Sequence, residues 1–297
     1  MFGAKFVLVE QSLHIVGPPL WQLVAPVPFD NEFLTSEQKQ SQIQNTSKSM
    51  DFYFDLEPEL YMLHEMNAQN PDECCHLFEQ NWIDRHAPIA SDNMNSYWHT
   101  LLQLEKEDSV AAYQFYKLTL QLLAYSNQDA PASHHILKDA THCLFLDSLL
   151  EVFPDARFIM LSRKPSAVAT SCVAGMSLVA RYYFKVKDIS SGLVAARVLE
   201  WLQVCFQRVN DFCGKHKNDK EEIFVNVKFE EFIKDPIPIV KDVYARLGYE
   251  YTEEFEKRMR EFIDNYNKFR DSKPKITYDP EPFAIPCSQI DKELSAN

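Results

Sequence analysis

The chain has 297 residues, 46% of them hydrophobic and 25% charged, an ordinary balance for a globular protein able to bury a large core. Its 30 Lys and Arg against 43 Asp and Glu leave a net charge of −13, which argues against a general nucleic-acid-binding surface. An anionic ligand on such a chain has to be held by a local concentration of cations and helix amides.

The N-terminal run MFGAKFVLVEQSLHIVGPP is apolar but interrupted by Lys5, Glu10 and His14, and it lacks a small-residue cleavage site. Neither a signal peptide nor a membrane anchor is expected, and no later run reaches the ~18 apolar residues of a spanning helix. Residues 6–9 or 13–16 read as a buried strand ended by Gly17-Pro18-Pro19. Residues 30–50 are polar and Gln/Ser-rich and predict a helix or a connector. From 52 to 124 the pattern is helical, starting at Glu57-Pro58-Glu59-Leu60, with Ala112, Phe115, Tyr116, Thr119, Leu120 and Leu123 on one stripe. Its dense aromatic residues read as core packing, or else as the wall of a small-molecule pocket. Asp72 and Glu73 precede an apolar helix start and are expected to stabilise its first turn.

Residues 134–178 carry the strongest local signal. The apolar runs His135-Ile136-Leu137 and Arg157-Phe158-Ile159-Met160-Leu161 flank a helical pattern at 144, 145, 149, 152 and 153, closed by Phe153-Pro154-Asp155. That is a strand-helix-strand unit, which implies a parallel sheet and an α/β fold. Ligands of open α/β sheets bind at the carboxyl ends of the strands, where Lys138, His142, Arg163 and Ser171 are expected. Pro165 sits at the start of the next helix, whose free amides favour an anion, with Arg163 offering a fork of donors and Ser171 a hydroxyl. The same two residues read equally well as a solvated charge and a small helix residue.

Downstream, 181–192 is a basic-aromatic loop, read either as exposed or as a cap over a ligand. Residues 193–213 predict an amphipathic helix and 223–227 another buried strand; helices follow from Glu230, over 237–247 and over 253–268, with Gly248 as a C-cap. Lys268, Arg270, Lys273 and Lys275 cluster near the end, and such a cluster is usually a solvated face. The seven cysteines show an odd count and no paired metal spacing, and His134 and His135 lack spaced partners; reduced thiols in a cytoplasmic protein are expected.

The run LKDATHCLFLDSLLEVFPDARFIMLSRKPSAVATS, with Arg163 and Ser171 eight residues apart, resembles the sulfotransferases that use 3′-phosphoadenosine 5′-phosphosulfate (PAPS). Their pattern is L-K-x-P-x-H, then L-x-x-L-x-x-x-F-P-D-A-R-F, then R-x-P. PDECCHLFEQ, AAYQFYKLTLQLL, FEEFIKDP and YDPEPFAI are similar to further pieces of the same family in the same order. The resemblance implies a parallel sheet with helices on both faces, of the P-loop-NTPase-like sulfotransferase kind. It implies one sulfotransferase-like domain over 1–297, with a helical insert at 52–124 and a nucleotide-binding core at 134–178. It also implies PAPS as donor, a hydroxyl or amine of a small molecule as acceptor, and no metal. His142 would be the general base, Lys138 would neutralise the leaving phosphate, and Arg163 and Ser171 would hold the 3′-phosphate. No nucleic-acid or membrane partner is expected, and oligomeric state is left open.

The chain departs from that pattern in places. After its first strand the family has a phosphosulfate-gripping loop R-[ST]-G-T-[ST] and a helix, whereas here Ile15-Val16-Gly17-Pro18-Pro19 runs almost directly into Trp21-Gln22-Leu23-Val24-Ala25-Pro26. Asp139 and Ala140 replace the usual small residue and Pro, and Ala284 stands for a Gly. A noncatalytic family member acting by nucleotide binding or protein association is therefore the alternative expectation.

Overall fold

The structure, a computed structural model, describes residues 19–24, 34–59, 66–125, 134–219, 222–271 and 283–295. The candidate first strand, Lys5 and the Lys273–Lys275–Tyr278 part of the tail lie outside the described residues.

A short sheet organises the C-terminal half. The β-branched and aromatic runs expected to be buried form β1 (Phe158–Ser162) and β2 (Phe224–Lys228), which pair in parallel with Phe158 opposite Phe224 and Ser162 opposite Lys228. Side chains alternate across β1, so its two faces meet different neighbours. Phe158 and Met160 enter the main core, whereas Ile159 and Leu161 pack with Val225, Val227 and Val243 in a second cluster. Both faces are thus covered by helices, and the chain is α/β. The expected strand at His135-Ile136-Leu137 does not form. Residues 134–139 have no regular structure, and the sheet has two strands among the described residues. Part of the reason lies in the partners of this segment: the carbonyl of Lys138 accepts the amide of Cys74, a helix start rather than a strand.

The helices, in chain order, are α1 (Leu20–Val24), α2 (Ser36–Leu56), α3 (Cys75–Glu79), α4 (Asn95–Leu102), α5 (Lys106–Tyr125), α6 (Leu146–Val152), α7 (Pro165–Ala180), α8 (Ser191–His216), α9 (Phe229–Lys234), α10 (Pro236–Leu247), α11 (Glu253–Asp271) and α12 (Cys287–Ser295). The polar stretch before residue 52 is mostly helix. Thr35 and Gln38 form a reciprocal capping box that starts α2, each side chain accepting the other's backbone amide. On α5 the buried face turns slightly from the expected stripe: Tyr113 faces the core and Phe115 is exposed. Gly248 ends α10 in the left-handed region at φ +80°, a position that favours glycine. One continuous core runs from Leu23 and Phe78 through Phe158 and Trp201 to Leu294, so the helical region and the sheet share it. No helix among the described residues is long and apolar enough to cross a membrane.

Candidate active site

The loop after residue 137 folds tightly because its own side chain caps it. Asp139 accepts the amide of Thr141 at 2.5 Å and starts a 3-10 turn over Ala140–Leu144. Asp139 is buried completely, so its charge needs a partner. That partner is Arg85, itself 6% exposed: one nitrogen donates to Asp139 Oδ1 at 3.0 Å and to Thr141 Oγ1 at 2.6 Å, and the other lies 3.5 Å from Glu73 Oε2. A single guanidinium therefore clamps the loop on both sides of Ala140, where the family pattern has the stiffening Pro. Lys138 joins the same network, its Nζ 2.5 Å from Glu73 Oε1. Burial alone would lower the Lys138 pKa, but Glu73 outweighs it and holds the ammonium above its ordinary value. Glu73 is thus more than a first-turn acid; it bridges two cations.

His142 is sealed in this turn. Its ring lies among Phe78, Tyr113 and Tyr116, and its Nδ1 is 2.8 Å from the Tyr113 hydroxyl. Nε2 is buried without a hydrogen-bond partner. Burial pushes the His142 pKa down to about 4, so the imidazole is neutral at neutral pH.

Beside the clamp opens a cavity of about 290 Å³. Met50, Tyr53 and Phe54 of α2, Met176 and Val179 of α7, and Tyr182 and Tyr183 form its apolar wall; Glu73, Glu79, Arg85 and His86 form the polar one. Of the 181–190 loop, Tyr182 and Tyr183 reach the cavity, and this turn is tied down by Arg181 to Glu57 at 2.7 Å and by the Tyr182 ring 4.5 Å from that of Tyr53. Lys138 and His142 are not themselves among the lining residues: Lys138 meets the lining residue Glu73, whereas the His142 ring contacts Phe78, Tyr113 and Tyr116, which stand behind the cavity wall.

Arg163 and Ser171 stand apart from this group. Arg163 follows β1 directly, half-buried, with its guanidinium 4.6 Å above the Phe229 ring. Ser171 is buried inside α7. Pro165 is the first residue of α7, as expected. The amide of Ser166 in its first turn donates to Asp291 Oδ1 at 2.8 Å, and Asp291 also meets Lys164 at 3.1 Å. A carboxylate from α12 already occupies the anion-favouring end of the helix. Among the residues sequence reasoning passed over, Arg85 and Asp291 matter most. Both act on partners more than 50 positions away in the chain, which no local pattern discloses.

A model described as the sulfotransferase family matches residues 15–253. The chain belongs to that family. Over 142 residues it is 25% identical to omega-hydroxy-beta-dihydromenaquinone-9 sulfotransferase Stf3 of Mycobacterium bovis and of Mycobacterium tuberculosis. The match takes in 48% of this chain but 36% of those relatives, so it spans about a third of their length. Two solved sulfotransferases share the fold across 95% of this chain and 69% of theirs: STF1 of M. tuberculosis at a TM-score of 0.71 and 18% identity, and STF9 of Mycobacterium avium at 0.74 and 19%. At such identities the likeness is one of fold.

Proposed function

We propose that this sulfotransferase-family chain, as a single domain, moves a sulfuryl group from PAPS to a hydroxyl or amine of a small-molecule acceptor bound in the 290 Å³ cavity. The observation that carries the reading is the Asp139-capped turn, which gathers the Lys138 ammonium, the Arg85 clamp and a neutral His142 beside one apolar pocket.

Sulfuryl transfer runs in line between two oxygens, so it needs a base for the acceptor and cations for the charge that develops on the donor side. The neutral His142 ring has its Nδ1 engaged by Tyr113 and its Nε2 without a partner, so Nε2 is the atom that takes the acceptor proton. Because the ring is fully enclosed, the surrounding side chains must part for the acceptor to reach it. As the acceptor oxygen bonds to sulfur, the bond from sulfur to the donor's 5′-phosphate breaks, and Lys138 neutralises the charge left on that phosphate. Arg163 and Ser171 would hold the 3′-phosphate. The first turn of α7 already holds one anion, the Asp291 carboxylate on the Ser166 amide, so this end accepts negative charge, but the phosphate also has to tolerate that carboxylate; Arg163 adds the fixed fork that phosphate favours. The acceptor wall of Met and Tyr side chains suits an apolar or aromatic body. Seven free cysteines fit a cytoplasmic setting.

Calorimetric titration with PAPS and with its desulfated product, on wild type and Arg163→Ala, tests the proposal. Micromolar binding of both nucleotides, weakened by about tenfold or more in Arg163→Ala, is expected for a half-buried charge-assisted contact. Binding of the product with no turnover of PAPS across an acceptor panel would mark a noncatalytic member. Failure of both nucleotides to bind would sink the donor assignment.

A further inference from the structure

The polar wall of the cavity holds a set of side chains that sulfuryl transfer leaves unused. Cys75 and Glu79 lie one turn apart on α3 and share a face, with His76 beside them. His86 arrives from the turn that follows. Its Nδ1 lies 3.0 Å from Glu79 Oε1, while His76 Nδ1 lies 3.7 Å from Glu79 Oε2. The Cys75 sulfur, a Glu79 carboxylate oxygen and a His86 ring nitrogen all fall within 4.8 Å of one another. Cys75, His76, Glu79 and His86 all line the cavity.

The turn that carries His86 is held from within. Asp84 accepts the amides of His86 at 2.7 Å and Ala87 at 3.3 Å, and its own amide donates to the Tyr97 hydroxyl at 2.9 Å. The imidazole is therefore presented on a fixed frame, with Asp84 Oδ1 3.3 Å from Nδ1 as a neighbouring carboxylate.

We infer that Cys75, Glu79 and His86 form a binding site for a thiophilic divalent cation of the zinc class, with its fourth position open to the cavity. One thiolate, one imidazole and one carboxylate match the donor set that zinc takes in tetrahedral sites, at bond lengths of about 2.0–2.3 Å. Bonds of that length put donors about 3.3–3.8 Å apart, so the three atoms close around an ion by small side-chain rotations. His76 offers a second imidazole on the same side. A sulfur donor disfavours magnesium and calcium, which take oxygen ligands. A neighbouring group of Glu73, Cys75 and Asp139 also converges, but its two carboxylates are already paired with Lys138 and Arg85. The inference rests on neither the donor nor the acceptor assignment.

Cobalt(II) is the probe, because a thiolate ligand gives it a near-ultraviolet charge-transfer band. Metal-free protein titrated with cobalt is expected to develop that band at one equivalent, and zinc to abolish it by displacement. Cys75→Ser should lose the band and Cys213→Ser keep it. His86→Gln, which leaves the thiol in place, should weaken binding by about tenfold or more. Circular dichroism on each variant separates loss of ligation from loss of fold. The inference is overturned by cobalt binding without a thiolate band, by a band that survives in folded Cys75→Ser, or by no binding up to about millimolar metal.

Discussion

A histidine enclosed by Phe78, Tyr113 and Tyr116 is a charge the fold refuses. In the unfolded chain His142 protonates below its ordinary pKa of about 6.5, whereas burial keeps it neutral in the fold down to about 4. Between those values the unfolded state binds the extra proton, so folding stability falls as pH drops through that window and the loss levels off below about 4. The gap amounts to ~3 kcal/mol. His76 and His86 shift the other way, since Glu79 outweighs burial at His76, and Asp84 with Glu79 outweighs burial and Arg85 at His86, so the His142 contribution has to be read as a difference. Urea unfolding of wild type and His142→Gln at about pH 7 and pH 4 isolates it: the stability of wild type relative to the variant should drop by ~3 kcal/mol on acidification. A constant difference would show that the ring is protonated in the fold. At this scale the sequence was partly legible. Lys138 and His142 were singled out from their motif, but Arg85 was invisible, because its role follows from a buried Asp139 that only tertiary contact reveals.

Elements were easier to read than contacts. Apolar periodicity located β1, β2 and α8 to within a few residues, Pro165 marked the start of α7, and Gly248 marked the end of α10. The same signal over-read His135-Ile136-Leu137, since so short a run suits an irregular segment as well as a strand. The start of α7 shows what periodicity leaves out. Pro165 announced the helix, but the acid on its first amides comes from α12, 125 positions on. A carboxylate there complements the helix dipole and satisfies an orphan amide, a combination worth about 1 kcal/mol. Asp291→Asn should therefore lower the melting temperature by a few degrees at most. It should also tighten binding of the desulfated nucleotide, because the carboxylate repels the 3′-phosphate assigned to Arg163 at this end. Weaker binding in a folded Asp291→Asn would instead make the carboxylate a support of the site.

For the whole molecule, composition said as much as any motif. A net charge of −13 surrounds whatever site accepts an anionic donor, so attraction has to be local and repulsion long-range. These two parts screen at different distances. Raising ionic strength from about 10 to 150 mM shortens the Debye length from roughly 30 to 8 Å, which removes the field of the distant acids before it touches contacts within a few ångströms of Arg163. The association rate of a fluorescent 3′-phosphonucleotide should therefore rise with salt over that range, while its dissociation rate, governed by short contacts, rises far less. Stopped-flow mixing reads both. An association rate that falls steadily with salt would mean that a positive field reaches well out into solvent, and that the cations near α7 dominate the approach despite the acidity of the chain.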